Sequence, residues 1–322
     1  MQISVIIPTY NRMKDVDECL DSIIVQTTLP MEVIIVDNGI DIKTENLIKI
    51  RKNEFKEKNI ILKYIKNERE NSLTVAKNIG VKHSAGDIIS FLDDDLILDK
   101  NYDEEIMKIY KEKTNALGVQ GVITNLEKLK VNTLHKLFFL GFEEKNKCKV
   151  LPSVYSTSPI SLDKDKIIEC ERLSGAATYK RCILEEFKFD ENLKKYSYGE
   201  DTDFSYRIFK KYPDSLFMAP RAKYFHRLSQ EGRIPNKDLF FMKIIYNFYI
   251  FYKDMDQNIK NKIIYLWSRI GYLVMNMGII LIKTHDKRFL QFTYLIRAYI
   301  YCMKHRREIK EGNLEFFNKC LR

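Results

Sequence analysis

The sequence is poor in cysteine, proline and tryptophan, and the pattern of its few cysteines argues against a disulfide-rich secreted protein. Among 322 residues there are six Cys, seven Pro and one Trp. The cysteines are scattered without a CxxC pair, which argues against a zinc ribbon or a disulfide-rich secreted domain. The amino terminus, MQISVIIPTY, lacks the basic stretch of a secretory signal peptide. We therefore expect free thiols in a reducing compartment.

A glycine-rich nucleotide fingerprint is also missing after the first apolar run. ISVII (3–7) is followed by PTYNR (8–12). A dinucleotide-dependent oxidoreductase would have GxGxxG at this place. The sequence thus argues against an oxidoreductase of that type.

Acidic residues are scarce in the last third of the chain. Residues 229–322 hold 17 Lys/Arg against 8 Asp/Glu, whereas residues 1–228 hold 37 against 36. Such a basic region suits an anionic membrane surface or nucleic acid. Nucleic acid is the poorer partner, because the basic residues are interleaved with long apolar runs that need a core or a bilayer.

The apolar runs of this region are FFMKIIYNFYIFY (240–252), IIYLWSRIGYLVMNMGIILI (263–282) and FLQFTYLIRAYIYCM (289–303). The middle run is long enough to span a bilayer. It carries Arg269 and Asn276, however, and its apolar residues gather on one helical face, which is an amphipathic pattern. We expect a packed helical subdomain or an interfacial helix rather than a membrane span.

Residues 1–228 alternate predicted strands with predicted helices. The strands are 3–7, 32–36, 60–65, 88–92 and 173–179, and the helices are 14–27, 43–58, 72–85 and 201–211. Gly86 is expected to close the third helix in the C′ position. Continuous apolar runs in the strands predict a mostly parallel sheet covered by helices on both faces.

Carboxylates follow two of these strands at their carboxyl ends. Asp37 follows the second strand, and Asp93, Asp94 and Asp95 follow the fourth. In open α/β sheets, ligands bind in the crevice beyond the carboxyl ends of the strands. We expect the two acidic sites to share that crevice.

Three adjacent carboxylates repel one another, by about 4 kcal/mol for a pair at ~4 Å and an effective dielectric constant near 20. A divalent cation would remove this repulsion, and hard oxygen ligands suit Mg²⁺ or Mn²⁺. The alternative is a helix amino terminus enriched in Asp, where the helix dipole favours the charges. The stretch alone leaves both interpretations open.

The stretch GDIISFLDDD (86–95) resembles the DxD motif of family 2 glycosyltransferases, which have the GT-A fold. Other blocks resemble the family in the same order, and they are VIIPTYNR (5–12), IIVDN (34–38), NSLTVAKNIG (71–80), GAATYKR (175–181), FDENL (189–193) and GEDTDFSYRI (199–208). The resemblance implies a Rossmann-like GT-A catalytic domain over 1–228. Residues 229–322 would form a helical, basic region that meets the membrane or the acceptor.

The resemblance also implies which residues hold the donor. Pro8, Thr9 and Tyr10 would line the nucleoside, and Asp37 would accept hydrogen bonds from the base or ribose. An Asx turn is the other explanation of Asp37.

Further donor contacts would come from Asn71, Lys77 and Asn78, which would flank the nucleotide and its diphosphate. Gly175 would let the backbone approach the donor sugar. The alternatives are an ordinary polar helix face for Asn71, Lys77 and Asn78, and a strand bulge at Gly175.

In the metal site that the resemblance implies, Asp95 is a direct ligand and Asp93 reaches the metal shell or the ribose. Asp94, also on the donor side, points elsewhere. His226 in KYFHRLS would complete the ligand set. A packed histidine without a ligand role is the alternative for His226.

The catalytic base implied by the resemblance is Asp201, with Glu200 beside it to orient donor or acceptor. An acceptor hydroxyl is a poor nucleophile, so a positioned carboxylate must take its proton. A helix N-cap is the alternative role for Asp201.

The resemblance implies a metal-dependent inverting glycosyltransferase that uses Mn²⁺ or Mg²⁺ and a nucleotide sugar, with uridine as the expected base. The acceptor would be a glycan or a lipid-linked molecule at the cytoplasmic face of a membrane. The alternative is a non-catalytic protein that binds nucleotide sugar or metal and carries a membrane- or partner-binding module.

Overall fold

The computed structural model describes residues 1–125, 133–139, 147–157, 166–229, 231, 235–282 and 286–314. The strands are β1 (Ile3–Thr9), β2 (Glu32–Asp37), β3 (Ile61–Lys66), β4 (Ile88–Phe91), β5 (Leu96–Leu98), β6 (Gly118–Ile123), β7 (Lys147–Cys148), β8 (Ile168–Cys170), β9 (Ala177–Lys180) and β10 (Leu216–His226). The helices are α1 (Met13–Ile24), α2 (Lys43–Glu57), α3 (Leu73–His83), α4 (Tyr102–Glu112), α5 (Thr133–Phe139), α6 (Arg181–Glu186), α7 (Glu200–Lys211), α8 (Asn236–Asp254), α9 (Ile259–Ile282), α10 (Asp286–Lys304) and α11 (Arg306–Lys310).

The sheet is mostly parallel at its amino-terminal side and mixed beyond it. Its order is β3-β2-β1-β4-β9-β6-β10-β8-β7, and β5 pairs with β10. β1, β2, β3 and β4 run parallel, whereas β9 lies antiparallel between β4 and β6. The predicted α/β architecture is confirmed.

Helices cover both faces of the sheet, as expected, and this is why the apolar runs of the strands are continuous. Val5 and Ile7 belong to a core with residues of α1, α2 and α4. Ile6 faces the opposite way, into a core shared with α3, α6 and α7. Successive side chains of a strand point to opposite faces, so a strand buried on both faces carries no polar alternation.

The strand ends are arranged by two pairings that define the candidate site. β4 ends at Phe91 and leads into Asp93, Asp94 and Asp95 before β5 begins. β5 then pairs antiparallel with the end of β10, where Leu96 lies opposite His226. The sheet register therefore places His226 beside the aspartates, although 131 residues separate it from Asp95.

The carboxyl-terminal helices form their own apolar core, made mainly by α8, α9 and α10. Lys253 of α8 joins this unit to the sheet domain, since its ammonium group pairs with Asp190 and with Asp203 of α7. Among the described residues, we find no helix with the length and apolar character that a membrane span requires. The boundary at residue 228 remains a prediction.

Several sequence predictions differ from the structure in detail. The third helix ends at His83, and Gly86 lies beyond its C′ position. A Cβ on Gly86 would come within 2.7 Å of the Ser4 backbone nitrogen, so this glycine serves a close chain approach rather than a helix cap. The strand predicted over 173–179 begins only at Ala177. Part of the stretch 126–170, which is hard to interpret from sequence, lies outside the described residues.

Asp103, in the first turn of α4, yields a test of the fold. Its carboxylate is buried and has no hydrogen-bond partner among the described residues, and burial raises its pKa to about 7. A raised pKa means that the folded state binds the proton more tightly than the unfolded state. The stability that this group contributes is therefore fully present at and below the unfolded pKa of about 4 and is lost as the pH rises to 7, by on the order of 2–4 kcal/mol.

Asp103→Asn removes this titration, so we expect its free energy of unfolding to change less between pH 5 and pH 8 than that of the wild type. Urea denaturation at four pH values measures the difference. Asp99→Asn, at an exposed position nearby, should keep the wild-type slope. Equal pH dependence in wild type and Asp103→Asn would contradict the assignment.

Candidate active site

A cavity of about 1080 Å³ opens at the carboxyl ends of β1 and β4. Its walls come from the β1–α1 loop, the three aspartates, the start of α7, and helices α8 and α9. The cavity therefore lies where the sequence predicts a crevice. It receives ten of the fourteen candidate residues, which are Pro8, Thr9, Tyr10, Asn71, Asp93, Asp94, Asp95, Glu200, Asp201 and His226.

The three aspartates have separate surroundings, which reduces their mutual repulsion. They occupy the turn between β4 and β5, so the alternative of a helix amino terminus does not apply. Asp94 accepts hydrogen bonds from Thr9 Oγ1 at 2.7 Å and from Arg12 Nη1 at 2.9 Å. Both carboxylate oxygens of Asp94 are therefore engaged by residues at the end of β1 and in the β1–α1 loop.

Arg12 is a site residue that the sequence reasoning missed. Its Nη1 also lies 3.9 Å from Asp95, and its side chain is only 12% exposed. It stands at the end of the quoted block VIIPTYNR, directly after the loop expected to line the nucleoside. A basic residue there, opposite an acidic triplet, was the signal available in the sequence.

Asp93, Asp95 and His226 form a set of possible metal ligands. One ligand atom from each lies within 4.8 Å of the others. His226 Nε2 is 3.1 Å from Asp95 Oδ1. Burial opposes ionisation of Asp95, yet the hydrogen bond from His226 and the charges of His226 and Arg12 lower its pKa overall. Burial raises the pKa of Asp93. Two carboxylates and an imidazole are donors that Mn²⁺ accepts readily.

A second acidic pair, Glu200 and Asp201, is held by a buried cation. Lys77 of α3 places its ammonium 3.0 Å from both carboxylates. Burial alone would lower the pKa of Lys77, but the charges of Asp201 and Glu200 raise it overall. For Glu200, burial and the neighbouring Asp201 charge raise the pKa to about 8. Of the two acidic side chains, Asp201 is the more accessible, at 25% against 10% exposed.

The backbone fixes Asp201 as well. Gly199 is the N-cap of α7 and Asp201 lies inside the first turn, so Asp201 is not the cap residue. Its Oδ2 accepts a hydrogen bond of 3.2 Å from the Gly175 N–H. Gly175 has φ of +60°, and a Cβ there would approach the Tyr224 hydroxyl to 2.8 Å. Only glycine suits this position without strain.

Four candidate residues lie outside the cavity wall, namely Asp37, Lys77, Asn78 and Gly175. The Asp37 carboxylate is 1% exposed and accepts hydrogen bonds from Gly39 N–H at 2.6 Å and the Tyr64 hydroxyl at 2.9 Å. This is the Asx turn that was the alternative explanation, and Asn38 lines the cavity instead. The Asn78 amide donates to Phe189 O and Glu191 Oε1, each at 3.0 Å. Asn78 therefore links α3 to the segment around residue 190.

The cavity is also lined by residues that no sequence motif marked. Tyr198 and Arg172 come from the sheet domain, and Lys243, Asn247 and Tyr272 come from α8 and α9. The Lys243 ammonium lies 5.3 Å from the centre of the Tyr198 ring. The carboxyl-terminal helices therefore complete the cavity rather than stand apart from it.

Comparison with known proteins agrees with this geometry. The sequence model of the family described as glycosyl transferase family 2 matches residues 4–169. An uncharacterized glycosyltransferase of Rickettsia felis is 30% identical over 201 residues, which cover 62% of this chain but only 29% of that protein. The uncharacterized glycosyltransferase YwdF of Bacillus subtilis is 28% identical over 240 residues, which cover 74% of this chain and 79% of YwdF.

Solved structures share the fold at low sequence identity. Residues 1–349 of S. aureus TarS match with a TM-score of 0.56 and 16% identity, over 98% of this chain and 89% of that one. GalNAc-T7, solved with UDP, GalNAc and Mn²⁺, matches with a TM-score of 0.57 and 18% identity, over 78% of this chain and 50% of that one. The fold is therefore that of GT-A glycosyltransferases. Since the family model covers just over half of the 322 residues, the chain belongs to glycosyl transferase family 2.

Proposed function

We propose that the chain transfers a sugar from a nucleoside-diphosphate sugar, with UDP-sugar favoured, to a hydroxyl of a glycan or lipid-linked acceptor. The observation that carries the proposal is one cavity that holds both a possible metal-ligand set and a carboxylate pair. The uridine preference is supported by TarS, solved in complex with UDP-GlcNAc, and by GalNAc-T7, solved with UDP.

The donor diphosphate would bind beside Asp93, Asp95 and His226. Hard carboxylate oxygens with one imidazole fit Mn²⁺ or Mg²⁺, and the imidazole favours Mn²⁺. When bound, such an ion supplies Lewis-acid stabilisation of the departing nucleoside diphosphate. Thr9 and Arg12 engage the carboxylate of Asp94, so Asp93 and Asp95 are the two carboxylates that would hold the ion.

The nucleoside would lie along the β1–α1 loop. Pro8, Thr9 and Tyr10 line that part of the cavity, together with Asn38 and Asn71. The amide groups of the two asparagines can each donate and accept hydrogen bonds. Asn38 thus takes the place that the sequence assigned to Asp37.

Asp201 would act as the base that removes the proton from the acceptor hydroxyl. Its two oxygens are held by the Lys77 ammonium and the Gly175 N–H, so the carboxylate is oriented before the acceptor arrives. Glu200 accepts a hydrogen bond from the same Lys77 ammonium, so its side chain is held beside the base, where it would orient the donor or the acceptor. With one base on the acceptor side, the reaction would be a single displacement with inversion, as family membership implies.

Residues 1–228 would supply the catalytic domain and residues 229–322 the acceptor side, through Lys243, Asn247 and Tyr272. We place the reaction in the cytoplasm, in the synthesis of a cell-surface polysaccharide or glycoconjugate.

Calorimetry with UDP, GDP and dTDP tests the donor site, with each nucleotide measured in Mn²⁺ and in EDTA. We expect UDP to bind in Mn²⁺ and to bind at least tenfold more weakly in EDTA. Asp95→Asn should abolish this difference, because it removes a charged metal ligand. Asp99→Asn, outside the cavity, is the matched control. UDP binding that is the same in Mn²⁺ and in EDTA, and that Asp95→Asn leaves unchanged, would refute the metal site.

Asp201→Asn tests the base. We expect a fall in transfer rate of about 10²- to 10⁴-fold, the usual contribution of a positioned base, while UDP binding in Mn²⁺ stays unchanged. Glu200→Gln should have a smaller effect on rate. Transfer by Asp201→Asn at the wild-type rate would disprove the assignment.

Lys77→Met tests whether Lys77 holds the acidic pair. The variant leaves two carboxylates close together without their cation, and we expect it to lose about 3–5 kcal/mol of stability in urea denaturation. Adding Glu200→Gln removes one of the two charges and should restore part of the loss. A double variant as unstable as Lys77→Met alone would show that the charges are not coupled.

A further inference from the structure

The outward face of α9 is apolar, the reverse of what a surface helix of a globular protein presents. Ile263, Leu266, Ile270, Val274 and Met277 are 42% to 63% exposed. At ~100° and ~1.5 Å per residue, they lie within an arc of about 80° along about 21 Å of helix. Every exposed residue of α9 between 263 and 277 is apolar. We call these five residues and Trp267 the apolar stripe.

Two polar side chains in the middle of α9 point into the protein. Ser268 is fully buried, and Arg269 is 6% exposed. The Arg269 guanidinium donates hydrogen bonds to Asn247 Oδ1 at 2.8 Å and to the Ser153 carbonyl at 3.2 Å. A buried arginine with such partners fixes the rotation of the helix, so the outward direction of the stripe is specified by the sequence.

Helix α5 extends the stripe. Leu134 and Leu137 are exposed, and the Trp267 indole N–H donates to the Leu137 carbonyl at 3.1 Å. The ring of Phe138 packs against that of Trp267, with 5.3 Å between their centres. Large contiguous apolar surfaces are uncommon on monomeric soluble proteins and mark interaction sites.

The charge around the stripe indicates which partner covers it. The segment 257–277, which carries the stripe, contains no acidic residue. Lys260 and Lys262 are exposed and flank the stripe on its two sides, and Lys136 is exposed between Leu134 and Leu137. Two copies meeting through this face would bring like charges together. Anionic lipid headgroups complement both the lysines and the apolar side chains.

We infer that the apolar stripe docks on the surface of an anionic lipid bilayer. The apolar side chains enter the boundary between headgroups and acyl chains, and the lysines contact the headgroups. Tyr272, which lines the cavity, lies on the opposite side of α9, about one helix diameter (~10 Å) from the stripe. A lipid-linked acceptor in the same bilayer would then be near the cavity. That last consequence rests on the proposed function, whereas the docking itself does not.

Co-sedimentation of the full chain with vesicles tests the docking. We expect binding to phosphatidylcholine vesicles containing one third phosphatidylglycerol, and little binding to pure phosphatidylcholine. Trp267 is the one Trp of the chain. Its fluorescence should shift to shorter wavelength on binding, because the indole leaves water. High salt should weaken the binding.

Ile263→Glu combined with Ile270→Glu should reduce binding to the anionic vesicles at least tenfold. Ile50→Glu changes an isoleucine of α2 that is 77% exposed, and it should leave binding unchanged. Absence of wild-type binding, an unshifted Trp267 spectrum, or an equal loss in Ile50→Glu would overturn the inference. A wild-type dimer that the double variant dissociates, seen by ultracentrifugation, would assign the stripe to a second copy instead.

UDP binding, measured in parallel, separates the two proposals. The double variant should bind UDP with Mn²⁺ as the wild type does, because the stripe lies on the opposite side of α9 from the cavity. If no form binds UDP while the vesicle results hold, the proposed function fails and the docking stands.

Discussion

Repulsion among three adjacent carboxylates is the constraint on which the site depends. The fold relieves it by giving each aspartate a different environment. Arg12 and Thr9 of the β1–α1 loop hold Asp94, while His226 at the end of β10 meets Asp95. These partners come from two distant parts of the chain, and the sheet order brings them together. The pairing of β5 with β10 thus determines the chemistry as well as the topology.

The second acidic pair, Glu200 and Asp201, also depends on a neighbouring group that offsets its repulsion. Lys77 is almost fully buried and serves Glu200 and Asp201 at once, so α3 and α7 are joined through the proposed catalytic carboxylate. Lys253 makes a similar junction between α7, Asp190 and α8. A buried cation costs solvation energy that only well-placed carboxylates recover. The first turn of α7 is therefore held by two cations, Lys77 from α3 and Lys253 from α8.

Much of this could be predicted from local sequence. Continuous apolar runs predicted β1 to β4, and the order of short blocks singled out Asp93, Asp95, Asp201 and His226, which line one cavity in the structure. Lys77 and Asp37 lie outside the cavity wall because Lys77 contacts groups distant in sequence and Asp37 closes a local turn. A motif does not record which group a side chain meets. The orientation of α9 was also beyond prediction. Its amphipathic pattern is plain, but the burial of Arg269 turns the apolar face outward.

The central claim is that Asp93, Asp95 and His226 form one cation site that serves the donor diphosphate. Anomalous scattering from a crystal soaked with Mn²⁺ and UDP tests it most directly. The account predicts one strong manganese peak bonded to Asp95 and His226 and in contact with the diphosphate. A diphosphate bound in the cavity with manganese elsewhere, or without manganese, would contradict it.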